Sequence, residues 1–242
     1  MLNNELEKIS GDLVGYIHPE YFLEEFKDKI LPGSKFSKEL AEKYYTILMS
    51  ISYFLKKLSK YEIYFLEFYP NTENISYYDA LEHHIHAYLE DVETLKNKLN
   101  HYLGCLKNDI KKVATNKKEV SEALEFLTGQ VFKTFEKVST LRASHRHKGS
   151  IFVDTNIING QVAEYMLSDK NLLKDRLTPY AFDHFAKEKS ESFEKAKIFW
   201  VKNVKKNLPQ VNGITNDILH RTKSFLYILL DIKPINFNKN YK

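Results

Sequence analysis

The stretch Leu141-Arg142-Ala143-Ser144-His145-Arg146-His147-Lys148-Gly149 holds the densest chemistry in the chain. Arg142 and His147 are separated by four residues, and His145 lies between them. A guanidinium can hold a phosphate through two parallel hydrogen bonds. An imidazole titrates near neutral pH and can take a proton from an attacking hydroxyl. The two together suit attack by a 2′-hydroxyl on its own phosphodiester, a reaction that needs no metal. Arg146 and Lys148 add positive charge that could hold neighbouring phosphates. Ser144 is a weaker candidate nucleophile, because close neighbours on a helix do not bring their tips together. A second reading needs no ligand: cations in the last turns of a helix complement the negative end of its dipole by about 0.3–1 kcal/mol each.

Two other clusters carry possible chemistry. Asp79, Glu82, His83 and His86 fall at helical spacings that share one face. Carboxylates and imidazoles so placed can ligate zinc or iron. The chain has no Glu-x-x-His and no His-Glu-x-x-His, so a solvated polar face is the simpler reading and no metal or other cofactor is expected. The third cluster is the basic run Lys195, Lys197, Lys202, Lys205 and Lys206, with no acidic residue from 195 to 216 and with Phe199 and Trp200 inside it. Lysines neutralise phosphates and aromatic rings stack on unpaired bases, which makes Lys202 and Lys205 candidate nucleic-acid contacts. The alternative is a lysine-coated helix whose aromatics pack inward.

The elements that must position these residues are helices. Tyr78, Leu81, Ile85, Tyr88, Val92, Leu95, Leu99, Tyr102 and Leu106 alternate gaps of three and four. That period keeps one seam facing a partner helix and predicts a helix over about 75–113, with Ser76 as its N-cap. Leu40, Tyr44, Ile47, Ile51, Phe54 and Leu58 form a similar stripe over about 36–60, and Val120 to Leu141 another over about 118–146. The short connection at 114–117 makes the second and third of these antiparallel. Tyr61 to Tyr69 either continues the first helix or forms a short extended piece. A helix is expected near 160–168. Thr178-Pro179 starts another, Pro209 is expected to stop it near Leu208, and a final helix covers Gly213 to Asp231. Pro19, the Leu31-Pro32-Gly33-Ser34 break and Gly149 mark further boundaries, and one or two helices occupy about 3–30.

The fold class is therefore all-α: an antiparallel helical bundle with long heptad-patterned helices and additional C-terminal helices. It is read as one helical domain over 1–242, with a bundle core at about 36–150, C-terminal helices at about 151–232 and a loose tail at 233–242. The composition agrees. The 242 residues are 43% hydrophobic and 28% charged, with 8 Gly and 6 Pro, too few turn formers for a sheet-rich fold. The net charge of +4 is a statement about solubility more than about partners. The single cysteine, Cys105, excludes an internal disulfide. No signal-peptide core opens the chain and no apolar run is long enough to cross a membrane, so a cytoplasmic protein without membrane attachment is expected.

The Arg142 to His147 motif in an all-helical bundle resembles the HEPN superfamily, whose signature is an Arg, four to six residues and then a His. The resemblance covers about 36–150. It implies that Arg142 and His147 are the matching functional residues, that a homodimer brings two such motifs together over RNA, and that cleavage is metal-independent and leaves a cyclic phosphate. The reading from a different class is a non-catalytic helical interaction protein, in which the seams bind a partner or a second copy.

Overall fold

A computed structural model describes residues 4–17, 35–70, 72, 74–147 and 154–231. Among them there are seven α-helices and no strand. They are α1 (Asn4–Ile17), α2 (Lys35–Leu58), α3 (Tyr61–Glu67), α4 (Tyr77–Val113), α5 (Lys117–His147), α6 (Thr155–Leu167) and α7 (Pro179–Leu230), with a single 3-10 turn at Lys174–Arg176. Pro19, the 31–34 break, Gly149 and the tail after 233 lie outside the described residues.

Local chemistry explains where the helices begin. Ser76 and Asp79 form a reciprocal box at the head of α4: the Asp79 amide donates to Ser76 Oγ at 3.1 Å and the Ser76 amide to Asp79 Oδ2 at 3.0 Å. At the head of α5 the Glu119 amide donates to Asn116 Oδ1 at 3.2 Å, and the Asn116 side-chain amide donates to Glu119 Oε2 at 2.7 Å. Asp154 caps α6 by accepting from the Asn156 amide, and Thr178 caps α7 by accepting from the Ala181 amide. Each cap satisfies an amide that the helix itself leaves unpaired.

All nine residues of the α4 seam are buried, from Tyr78 to Leu106. On α2 the fully covered stripe runs through Ala41, Tyr44, Leu48, Ile51, Leu55 and Leu58. Leu40 and Phe54, assigned to this stripe from spacing, sit at its rim. Residues 61–67 form a separate short helix rather than an extended piece. The turn at Asn116 makes α4 and α5 antiparallel neighbours. The pairs Lys107–Glu125, Glu93–Ser139 and Glu90–Arg142 are each equidistant in sequence from Asn116.

Pro209 does not end a helix. α7 runs through it without a break, correcting the expected stop at Leu208. Proline forfeits one backbone hydrogen bond and crowds the preceding turn. Here Pro209 itself is exposed while Val204 and Val211 on either side are buried, so apolar packing on both flanks holds the helical path.

The chain divides into two compact units, each discontinuous in sequence: residues 1–56, 94–135 and 210–242 form unit 1, and residues 57–93 and 136–209 form unit 2. α4, α5 and α7 contribute to both. Within unit 1, Asp109 accepts from Lys43 Nζ at 2.6 Å, Tyr44 Oη at 3.0 Å and Lys112 Nζ at 2.8 Å. Burial pushes this carboxyl up, and the three donors more than offset it and leave it below the ordinary value. Thr215 and Thr222, both fully buried, return their hydroxyls to the carbonyls of Val211 and Ile218, which lets α7 bury them without an orphaned group. Tyr102 and Thr222 are joined by a hydroxyl bond of 2.9 Å. Asp12 on α1 accepts from Tyr227 Oη on α7, while its Oδ1 is buried without a partner.

Within unit 2, Tyr78 on α4 reaches past Gly160 on α6 to donate to the Lys189 carbonyl on α7 at 2.5 Å. A Cβ at Gly160 would lie 1.8 Å from Tyr78 Oη, so only glycine admits the tyrosine. Asp91 accepts from Lys57 Nζ at 2.8 Å and from Tyr61 Oη.

Two measurements check this packing. Gly160→Ala is expected to lower the free energy of unfolding by about 1–3 kcal/mol through overpacking. Gly129→Ala, on an exposed stretch of α5 where a Cβ meets nothing within 4 Å, is expected to raise it by about 0.5–1 kcal/mol. Urea midpoints of the two variants should therefore move in opposite directions. The second measurement concerns Asp12, 1% exposed. Desolvation raises its pKa above the ordinary 3.8, against the lowering effects of the Tyr227 bond, Lys223 and Lys8, with Glu5 adding to the rise. The folded chain thus holds this proton more tightly than the unfolded chain. Its contribution to stability is complete below 3.8 and is lost as pH rises through the folded value. Asp12→Asn should flatten that decline when urea midpoints are compared from pH 4 upward.

Candidate functional site

Arg142 lies five residues before the end of α5, with its side chain 20% exposed. It makes a two-pronged bond to Glu90 on α4: Nε to Oε1 at 2.9 Å and Nη2 to Oε2 at 2.8 Å. The fork fixes the plane of the guanidinium and leaves Nη1 outside the pair. The hydrogen bonds Arg142 donates to Glu90 raise its pKa further above the ordinary value, with burial opposing and Glu93 assisting, so the group is charged at every working pH. One turn earlier on α5, Ser139 donates to Glu93 at 2.8 Å. The site is thus two positions on α5 facing two acidic positions on α4.

From the sequence, Glu82 on the neighbouring helix is an alternative candidate to orient an Arg or His of the Arg142 cluster. The structure gives that role to Glu90, two turns further along. Glu82 instead accepts from Gln161 Nε2 at 3.1 Å and lies 3.8 Å from His86. The helix rule that groups residues on one face gave no way to choose between these carboxylates, because the choice depends on the register of α4 against α5.

The α5 backbone stays helical through His147. Position 147 therefore lies about 140° round the helix from position 142, whereas positions 145 and 146 lie within about 60° of it. By backbone placement His145 and Arg146 share the Arg142 face more closely than His147 does. The side chains of residues 144–147, and Lys148 altogether, lie outside the described residues.

The Asp79, Glu82, His83 and His86 cluster is dispersed among other tasks. Asp79 closes the cap of α4. Among the described residues no three His, Cys, Asp or Glu side chains converge on a point that could hold a metal ion. The histidine that packs inside is their neighbour His84, which sequence reading passed over. Its Nε2 donates to the Phe68 carbonyl at 2.7 Å, and its ring stacks on Tyr64 at 6.0 Å. Burial lowers its pKa, with the Phe68 bond opposing, so it is neutral at pH 7 and acts as a core residue.

The basic run on α7 is largely committed. Lys195 pairs with Glu191, Lys197 with Glu194 and Lys205 with Glu62 at 2.9 Å. Trp200, proposed from its type as a stacking platform, is 5% exposed. Its ring lies against Phe65 at 6.2 Å and its indole N–H donates to Asp154 at 3.0 Å. It is a core residue and cannot stack on a base. Phe199 beside it is half exposed, and Lys202 and Lys206 are exposed. Two of the candidate contacts from sequence, Arg142 and Lys205, therefore already hold a carboxylate, while Lys202 is exposed.

The Glu90–Arg142 fork is partly exposed, so its net contribution is modest. A double-mutant cycle of Glu90→Gln and Arg142→Met should give a coupling of about 1 kcal/mol. That coupling should shrink between low salt and about 1 M salt. A coupling near zero would mean that the fork orients the arginine without stabilising the fold.

Compared with known proteins, this chain matches no family model, no curated sequence and no solved structure.

Proposed function

We propose that the chain is a HEPN-like RNA-binding protein, with metal-independent RNA cleavage at the Arg142 to His147 segment as its activity. The observation that carries this reading is the Glu90–Arg142 fork. A carboxylate behind an arginine presets its plane, which lowers the ordering cost of gripping a phosphate. The charge held there is permanent. A histidine at 145 or 147 on the same helix supplies a group able to accept a 2′-hydroxyl proton and return one to the leaving oxygen. In this reading Arg142 neutralises the phosphorane-like charge, His147 or His145 moves the protons, and Arg146, Lys148 and Lys202 hold flanking phosphates. A homodimer that pairs two such segments, in the cytoplasm, completes the proposal.

A second reading is favoured by a different observation. Lys195, Lys197 and Lys205 all hold carboxylates, and Trp200 is in the core. Charges so engaged describe a helical interaction protein without catalysis, in which Arg142 ties α5 to α4.

End-labelled single-stranded RNA incubated with the protein in EDTA separates the two. The first reading expects cleavage by the wild type, loss of at least about 100-fold with His147→Ala or His145→Ala, and a comparable loss with Arg142→Ala. Intact RNA with the wild type, together with no retention of RNA on filters at low salt, supports the second.

A further inference from the structure

Unit 2 contains two adjoining hollows of about 510 and 310 Å³, sizes found for small-ligand sites. They share Tyr77 and Lys189. The larger is polar, with Ser76 and Glu164 on its wall. The smaller is mostly apolar, with Tyr78 and Phe193 on its wall. Tyr77, 53% exposed, lies 5.7 Å from Phe193 between ring centres. Where the hollows meet, Lys189 Nζ and Glu164 Oε1 are 2.8 Å apart, with side chains 42% and 27% exposed. Glu194 also borders the smaller hollow, but Lys197 already holds it at 2.7 Å.

These walls stand on fixed elements. The Ser76–Asp79 box locks the head of α4. Tyr78 pins the backbone of α7 at Lys189, and Gly160 permits that approach. Glu164 is one turn beyond Gly160 on α6, and Phe193 one turn beyond Lys189 on α7. The positive and the negative group are thus held at a set separation beside an aromatic wall. A ligand with one charge would take one member of the pair and leave the other without its counter-charge in a half-covered site, which is costly. A ligand with both charges exchanges one ion pair for two and leaves nothing unpaired.

We propose that this is a binding site for a zwitterion with a large apolar arm, of which an aromatic α-amino acid is the simplest example. The ligand carboxylate meets Lys189, its ammonium meets Glu164, and its ring lies on Tyr77 and Phe193. The site stands apart from the RNA reading and does not depend on it.

L-phenylalanine is the probe, and saturation-transfer NMR with the full-length chain is the measurement. Saturable binding is expected below ~10 mM, with phenethylamine and 3-phenylpropionate, which each carry one of the two charges, at least tenfold weaker. Lys189→Met and Glu164→Gln should each weaken L-phenylalanine binding at least tenfold, with helical circular dichroism unchanged. The double exchange Lys189→Glu with Glu164→Lys restores the pair in reverse and should recover binding, which guards against a variant that merely misfolds. The proposal is overturned if L-phenylalanine shows no saturable binding. It is equally overturned if the singly charged analogues bind as well, or if the two single variants bind as the wild type does.

Discussion

The α4 seam is the constraint on which the remaining structure depends. Nine side chains at alternating gaps of three and four are all buried, and each fully covered residue of this size contributes about 1.5–3 kcal/mol relative to exposure. The seam runs through most of the 37 residues of α4. Every element packed on it must therefore match its register, and polar groups flanking the stripe are carried into partly dry positions whether or not they have partners. Partners for those groups are what the neighbouring helices then have to supply.

The solution recurs. Asp91 and Asp109 lie five turns apart on one face of α4, each 6% exposed. Tyr61 and Lys57 serve the first, and Tyr44, Lys43 and Lys112 serve the second. Asp12 on α1 is served by Tyr227 in the same manner. A tyrosine hydroxyl is suited to this task because its ring adds apolar area to the core while its tip satisfies a carboxylate. Tyr44, Tyr61 and Tyr227 thus have a use beyond filling space. Asp12 differs from the other two in having no lysine bonded to it and one oxygen unsatisfied. That is why burial wins there and raises its pKa, whereas donors win at Asp109.

What could be read from sequence was whatever repeats along one helix or signals its start. The α4 seam, the Ser76 and Thr178 caps and the antiparallel turn at Asn116 are of this kind, since each is decided within a few residues. What could not be read depends on neighbours far along the chain. Pro209 breaks a helix on local grounds, yet buried Val204 and Val211 carry α7 through it. Trp200 in a lysine-rich run leaves two readings open, a stacking platform or an inward-packed ring, and Phe65 and Asp154, far along the chain, select the second. Nothing local marks Gly160, yet Tyr78 fills the space where a side chain there would be. Glu82 and Glu90 lie two turns apart on α4, and the register against α5 about the turn at Asn116 assigns Arg142 to Glu90. In each case a contact between distant residues decides what the local sequence does not.

The same point bears on how charge should be weighed as a sign of function. A basic residue in a sequence is available to a ligand only if the fold has not already used it. In this chain the fold uses Arg142, Lys195, Lys197 and Lys205. Pairing has two opposite meanings, however. At Lys205 the carboxylate on Glu62 competes with a phosphate for a single flexible ammonium, so pairing subtracts from any site there. At Arg142 the carboxylate occupies Nε and Nη2 and fixes the plane of the group while Nη1 stays outside the fork, so pairing can equally well prepare a site. Geometry distinguishes these two arginine and lysine cases because a guanidinium can be held and can hold at once, whereas a lysine ammonium on a free stem is not oriented by its partner. Arg142, and not the longer and more conspicuous basic run of α7, is therefore the cation whose pairing leaves it oriented toward a ligand.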